Sequence, residues 1–273
     1  MKTFYLAIIA LAFNGLINGE LSQPGCGLRP LEDPARVISG TEATPGDWAW
    51  SVSLTMNGRH FCGGVLIDDT TVVSAAHCFS GSSYINPALR VDIGVHDRNN
   101  KEDWVQTRTV SKLYIHQSFS MQNLRYDIAL IKLSSKITLN DTYVIPICID
   151  ESNSTISELE PQGKTGWLTG WGHEKYQGVL TRYKMQGSID ILTDNRCKQR
   201  YGYLYNTDVQ ICAGENGVDA GACQGDSGGP FVLPYQGRWY LVGLVSWGYG
   251  CGDGTVFARF NYFLSWIKDR INL

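Results

Sequence analysis

The chain has 273 residues, 43% of them apolar and 18% charged, with 30 glycines and a net charge of −3. That much apolar sequence can bury a sizeable core, which excludes a disordered or low-complexity chain. Residues 1–36 carry three charges of each sign, so the mild negative balance also holds for the rest and argues against a nucleic-acid partner.

In chain order, residues 1–19 read as a secretory signal. Lys2 supplies the positive start, Phe4 to Phe13 is an apolar run of ten, and Gly19 is a small residue suited to cleavage. A membrane anchor needs about 20 continuous apolar residues, and Asn14, Gly15 and Asn18 interrupt too early. The expected location is therefore secreted and extracellular, the digestive lumen being one such setting, with no membrane partner. Residues 20–36 form a short extension punctuated by Pro24, Pro30 and Pro34, without a periodic apolar pattern. It ends at Ala35-Arg36, ahead of Val37-Ile38-Ser39-Gly40. A basic residue before a small apolar segment is a cut site for a trypsin-like processing enzyme, although an isolated arginine is more often a solvated linker residue.

From Val37 onward the pattern is strand-like. Trp50 to Leu54, Thr71 to Val73, Arg90 to Ile93, Ile128 to Leu133, Trp239 to Val245 and Val256 to Ala258 are short and β-branched or alternating. Many short strands with little helix predict an all-β barrel or sandwich. Only the end reads as helix, where Phe263, Leu264, Ile267 and Ile271 share one face. The eight cysteines (Cys26, Cys62, Cys78, Cys148, Cys197, Cys212, Cys223 and Cys251) suit four disulfides in an oxidising compartment, and the sequence alone leaves their pairing open. With no Cys-x-x-Cys pair and five scattered histidines, no metal or cofactor is expected.

The chain is organised around Gly225-Asp226-Ser227-Gly228-Gly229-Pro230. Glycines at positions −2, +1 and +2 allow a tight turn and remove side chains that would block a substrate, leaving the Ser227 hydroxyl as a candidate nucleophile. Serine needs a base to take its proton. His77, in Ser74-Ala75-Ala76-His77-Cys78, is the best placed of the histidines, and Asp127 leads into the apolar run Ile128-Ala129-Leu130. A lone histidine is more often structural, and an acid before a strand is more often merely exposed. Burial of Asp127 would be costly unless it were paired, for example with an imidazole.

Together, Ala75-Ala76-His77-Cys78, Asp127-Ile128-Ala129-Leu130 and Gly225-Asp226-Ser227-Gly228-Gly229-Pro230, in that order, resemble the chymotrypsin-like serine proteases, from Cys26 to the C-terminus. The resemblance implies two six-stranded antiparallel β-barrels, about 37–150 and 151–273, with the active site between them and a C-terminal helix. It implies the pairs Cys62–Cys78, Cys197–Cys212, Cys223–Cys251 and Cys26–Cys148, the last tethering the extension. It also implies a His77, Asp127, Ser227 triad and an oxyanion hole made by the N–H groups of Gly225 and Ser227. Ser246-Trp247-Gly248 resembles the edge that pairs with the substrate backbone. Cleavage after Arg36 would free an α-amino group at Val37 to pair with Asp226, so the resemblance implies a zymogen and a trypsin-like activator.

In the same resemblance Gly221 stands at the pocket floor, where trypsin-like members carry aspartate. Ala222, Gln224, Gly248 and Thr255 complete an apolar slot, which favours cleavage after Leu, Met, Phe or Tyr. Asp253, in a shortened loop, is the alternative: turned into the pocket it would admit Lys or Arg, with Asp219 a weaker candidate. A catalytically silent binding module of this fold is the rival from another class, opposed by the intact His77, Asp127, Ser227 and Arg36-Val37. Asn140 and Asn153 fit glycosylation acceptors. Val95 replaces the glutamate usual in the family's calcium loop, leaving Glu102 and Asp103 as a thin oxygen set. The expected partners are protein or peptide substrates, the activator and protein inhibitors, with the enzyme itself a monomer.

Overall fold

The computed structural model describes residues 22–29, 40–80, 85–151, 163–215 and 221–271. The expected signal 1–19 and the residues Arg36, Val37, Asn153 and Asp219 lie outside them. Among the described residues no helix is long and apolar enough to cross a membrane.

The first sheet orders its strands β6-β5-β2-β3-β4-β8-β7, all antiparallel. They are β2 (Ser51–Met56), β3 (Arg59–Leu66), β4 (Thr71–Ser74), β5 (Leu89–Ile93), β6 (Gln106–Arg108), β7 (Val110–Ile115) and β8 (Ala129–Leu133). The strands at the two edges, β6 and β7, are consecutive in sequence and separated only by Thr109. They are one bent strand whose halves pair with opposite ends of the sheet, so seven segments close a barrel of six.

The second sheet runs β1-β10-β9-β12-β13-β14-β11, built from β1 (Thr41–Glu42), β9 (Thr165–Gly170), β10 (Met185–Asp190), β11 (Gln210–Ala213), β12 (Pro230–Tyr235), β13 (Arg238–Trp247) and β14 (Thr255–Arg259). An isolated bridge between Ile191 and Ala213 joins the ends of β10 and β11 and closes this barrel too. Its seventh member, β1, comes from the start of the chain and pairs Thr41 with Gln186. The chain thus enters along the second sheet before it builds the first.

Apolar and polar residues alternate along β2 and β5, whereas strands such as β4, β9, β11 and β12 are almost continuously buried and are held by close packing. Phe231 and Phe257 stack at 4.3 Å in the second core, and Gly166 is required there because a Cβ would overlap the Phe231 ring. A larger apolar cluster gathers Trp48, Trp50, Trp167 and Trp239 with the first barrel's Val52, Leu54, Leu66 and Ile131. Burying each such side chain contributes about 1.5–3 kcal/mol. Among the described residues there are two α-helices, α1 (Asp194–Tyr201), capped by the Thr193 hydroxyl accepting from the Arg196 N–H, and α2 (Leu264–Ile271). The second helix follows the second barrel yet docks on the first, where Trp266 Nε1 donates to Gln117 Oε1 at 3.0 Å and its ring meets His116 at 5.2 Å. This strap, with Ser51 Oγ and Thr169 Oγ1 at 2.7 Å, fixes the barrels against each other.

Candidate active site

Asp127 is 1% exposed and accepts three hydrogen bonds. His77 donates from its backbone N–H at 2.9 Å and from Nδ1 at 2.7 Å, and Ser246 Oγ donates at 2.5 Å. Three donors compensate the desolvation of a buried carboxylate. The backbone aims it: Tyr126, just before, holds φ at +57°, a left-handed conformation that costs energy for a non-glycine residue. Because a carboxylate only accepts, Nδ1 of His77 carries a proton, and in the neutral imidazole this leaves the lone pair on Nε2. His77 itself lies in a one-turn 3-10 helix, Ala76–Phe79, directly after β4 and pinned by Cys62–Cys78.

The Ser227 turn is bolted against this histidine loop. The Gly63 N–H donates to the Ser227 carbonyl at 2.8 Å and the Gly228 N–H to the Val245 carbonyl at 2.7 Å. The Ser227 carbonyl also lies 3.8 Å from the Cys78 sulfur. Gly228 has φ +77°, and a Cβ there would sit 2.8 Å from the Ala75 nitrogen and overlap Ser74 Oγ. Gly225 has φ +101°, with its would-be Cβ 2.6 Å from Leu180. Among the described residues, the N–H groups of Gly225 and Ser227 have no hydrogen-bond partner.

Two buried groups set the loop. His60 Nε2 donates to the Gly225 carbonyl at 2.9 Å, while Nδ1 accepts from Ser53 Oγ at 2.8 Å. Burial lowers its pKa to about 4, so the imidazole is neutral and can serve both partners. The next N–H, of Asp226, donates to the Cys223 carbonyl at 3.0 Å, while the peptide that bears the Gly225 N–H is held through the Gln224 carbonyl, which accepts from the His173 N–H at 2.8 Å. Asp226 accepts from the N–H groups of Gly172 at 2.7 Å and Cys223 at 3.0 Å, and burial raises its pKa to about 6. Gly170 and Gly172 are there because a Cβ at either would overlap its oxygens. A cavity of about 530 Å³ reaches Asp226, with Gly40, Gly170, Gly172 and Gly187 in its wall.

The residues expected at the specificity pocket come together next to this loop. Ala222 N–H donates to Thr255 Oγ1 at 3.0 Å. Gly221 lies flat on Gly252, where a Cβ would stand 2.8 Å from the Gly252 Cα, and a Cβ on Gly248 would stand 2.7 Å from the Gly254 carbonyl. Asp253 is engaged elsewhere: Arg200 of α1 pairs with its Oδ1 at 2.9 Å and also donates to its carbonyl. Trp247 stands edge-on to Tyr201 at 5.0 Å. Gln224 is exposed, its carbonyl accepting from the His173 N–H at 2.8 Å.

The disulfides are Cys26–Cys148, Cys62–Cys78, Cys197–Cys212 and Cys223–Cys251. Cys62, His77 and Cys78 form the one metal-like cluster among the described residues, but disulfide sulfurs are not thiolate ligands. Glu102 accepts from the N–H groups of His96 and Asp97, so its carboxylate braces its own loop. Asn140 is exposed, with Oδ1 accepting from the backbone at Thr142, Tyr143 and Val144. Sequence reasoning missed Ser246 as a partner of Asp127, and Ser53 and His60 altogether; a histidine directly before Phe61-Cys62-Gly63-Gly64 was the available signal.

Compared with models of known protein families, residues 37–267 match the family described as Trypsin.

Proposed function

The chain belongs to the trypsin family of serine-type endopeptidases, whose substrates are proteins, and from that premise we propose that it is a secreted zymogen, cut after Arg36, that cleaves after medium-to-large apolar residues. The observation that carries the catalytic reading is the Asp127 carboxylate held by both His77 donors, beside a Ser227 turn hydrogen-bonded to Gly63. In this reading Nε2 of His77 takes the Ser227 proton as Oγ attacks the peptide carbonyl. His77 then returns it to the leaving amine, giving an acyl-enzyme that water hydrolyses by the same route. Asp127 holds the tautomer and stabilises the charged imidazole. The developing oxyanion meets the N–H groups of Gly225 and Ser227, each such donor contributing roughly 3 kcal/mol.

Activation supplies what Asp226 lacks. A buried carboxylate with two backbone donors and a raised pKa is an incomplete site for a cation. The α-amino group of Val37, freed by a cut after Arg36, would bind there, and Gly40 in the wall of the same cavity puts the chain near enough. For specificity, the floor at Gly221 carries no charge, and the pairing of Asp253 with Arg200 favours the apolar slot over the Lys/Arg alternative. Pockets of this kind discriminate by only about 1–3 kcal/mol per methylene, so selectivity is broad. The oxidising compartment implied by four disulfides supports secretion, and exposed Asn140 supports glycosylation there.

The test is cleavage of a peptide library by the secreted protein, before and after brief trypsin treatment, with Ser227→Ala as control. Cuts after Leu, Met, Phe or Tyr that appear only after treatment are expected. Cuts after Lys or Arg refute the pocket reading. Full activity in an uncut Arg36→Gln protein refutes the zymogen, and silence despite a freed Val37 refutes catalysis.

A further inference from the structure

The leading segment carries two arginines, and the proposed activation cut involves only Arg36. The other, Arg29, is sealed into the protein. Its side chain is 4% exposed and its Nη2 lies 3.1 Å from Asp47 Oδ2. The guanidinium carbon stands 3.9 Å over the Trp48 ring and 5.6 Å from the Trp239 ring. Those two rings meet edge to face at 5.0 Å, forming a corner into which a planar cation fits. Nε and Nη1 have no hydrogen-bond partner among the described residues.

The walls of this corner are built from the protease body. Trp48 stacks on Trp167 and its Nε1 donates to Gln186 Oε1 at 2.7 Å. The Trp48 carbonyl accepts from the buried Lys184 Nζ at 3.1 Å, and Asp47 is fixed by the Thr44 turn. Around the arginine, Gly27 donates to the Pro146 carbonyl at 2.8 Å and accepts from the Trp239 N–H at 3.0 Å. The Cys26 carbonyl accepts from Arg238 Nη1 at 2.6 Å. Ser22 also bonds to Ile149 and Glu151, so the disulfide to Cys148 is the covalent one of several attachments.

We propose that Trp48, Trp239 and Asp47 form a guanidinium-binding site whose occupant, Arg29, keeps the leading segment on the protease body after activation, independently of the Cys26–Cys148 disulfide. The proposal rests on the cut after Arg36 and adds that the mature enzyme is a two-chain molecule held by recognition as well as by a covalent bond. An arginine is specified over a lysine because only the planar group covers an indole face while pairing with a carboxylate.

The experiment uses the full chain with Cys26→Ser, Cys148→Ser and Ser227→Ala, cut briefly with trypsin and followed by intact and native mass spectrometry. Retention of the fragment ending at Arg36 is expected, together with binding on the order of a hundredfold weaker after Arg29→Ala and an intermediate result for Arg29→Lys. Equal retention with and without Arg29, or loss in both, overturns the proposal. If trypsin leaves the Arg36 bond uncut, the activation reading fails. The site is then judged in the uncut, disulfide-intact chain by hydrogen exchange at the Gly27 amide. There Arg29→Ala speeds exchange by about tenfold or more if the site holds the segment, and unchanged exchange overturns it.

Discussion

Replacing Asp226 by asparagine in the uncut chain, with Ser227→Ala to silence cleavage, removes a carboxylate that is buried without a charged partner among the described residues. Burial raises its pKa from 3.8 to about 6. A displacement of that size corresponds to about 3 kcal/mol between the two protonation states. Between those pH values the native state holds a proton that the unfolded chain has released. The favourable contribution is therefore complete below the unfolded pKa and is lost as pH rises through the folded one, by about 1.4 kcal/mol per unit. Asparagine does not titrate, so the variant lacks that slope, and the difference between the two proteins cancels every other group. The assay is urea unfolding of both from about pH 4 to about pH 7.5. The asparagine protein is expected to gain roughly 2–2.5 kcal/mol on its parent across the range. A constant difference would refute an unpaired buried carboxylate as the state of the uncut chain. In the cut enzyme with Ser227 restored, the advantage reverses: the Val37 amine then needs the carboxylate, and Asp226→Asn loses peptidase activity at neutral pH.

Ser246→Ala removes one of the three donors to Asp127; kcat is expected to fall roughly tenfold with KM little changed, and an unaltered kcat refutes a role for that hydroxyl. His60→Phe leaves the Gly225 carbonyl without its donor and lowers kcat by loosening the turn that carries Ser227. In the parent, a His60 pKa lowered to about 4 contributes stability that is complete above the ordinary 6.5 and is lost as pH falls through about 4. The His60→Phe protein therefore shows a flatter acid-unfolding profile, and identical profiles would count against a buried neutral imidazole. Asp253→Asn breaks the pair with Arg200. The ratio of cleavage after Leu to cleavage after Lys stays the same on an apolar floor, whereas selective loss of cleavage after Lys would reinstate the charged pocket.

What could be read from the residues depended on whether a signal was local. His77, Asp127 and Ser227 each sit in a short run with its own physical logic, and the strands of alternating residues are self-evident. Strand β3 was hidden because Gly63 and Gly64 interrupt its pattern, yet both are glycine for a tertiary reason. A Cβ at Gly63 would stand 3.0 Å from Gly229, and one at Gly64 2.9 Å from Val72. Helix α1 was hidden because only Cys197 and Tyr201 are buried in it, too few for an apolar stripe; its stability comes from the Thr193 cap and a disulfide. The partners of Asp127 and Gly225 were hidden for a third reason. Ser246 lies 119 residues from Asp127, and His60 lies 165 from Gly225, so no window of sequence contains either pair. Asp253 shows the same limit from the other side. Its sequence neighbours leave it free to enter the pocket, and only the return of α1 brings Arg200 to it. Charge placement in a cleft between two barrels is a property of the closed fold, whereas the reacting groups announce themselves because each needs a specific backbone around it.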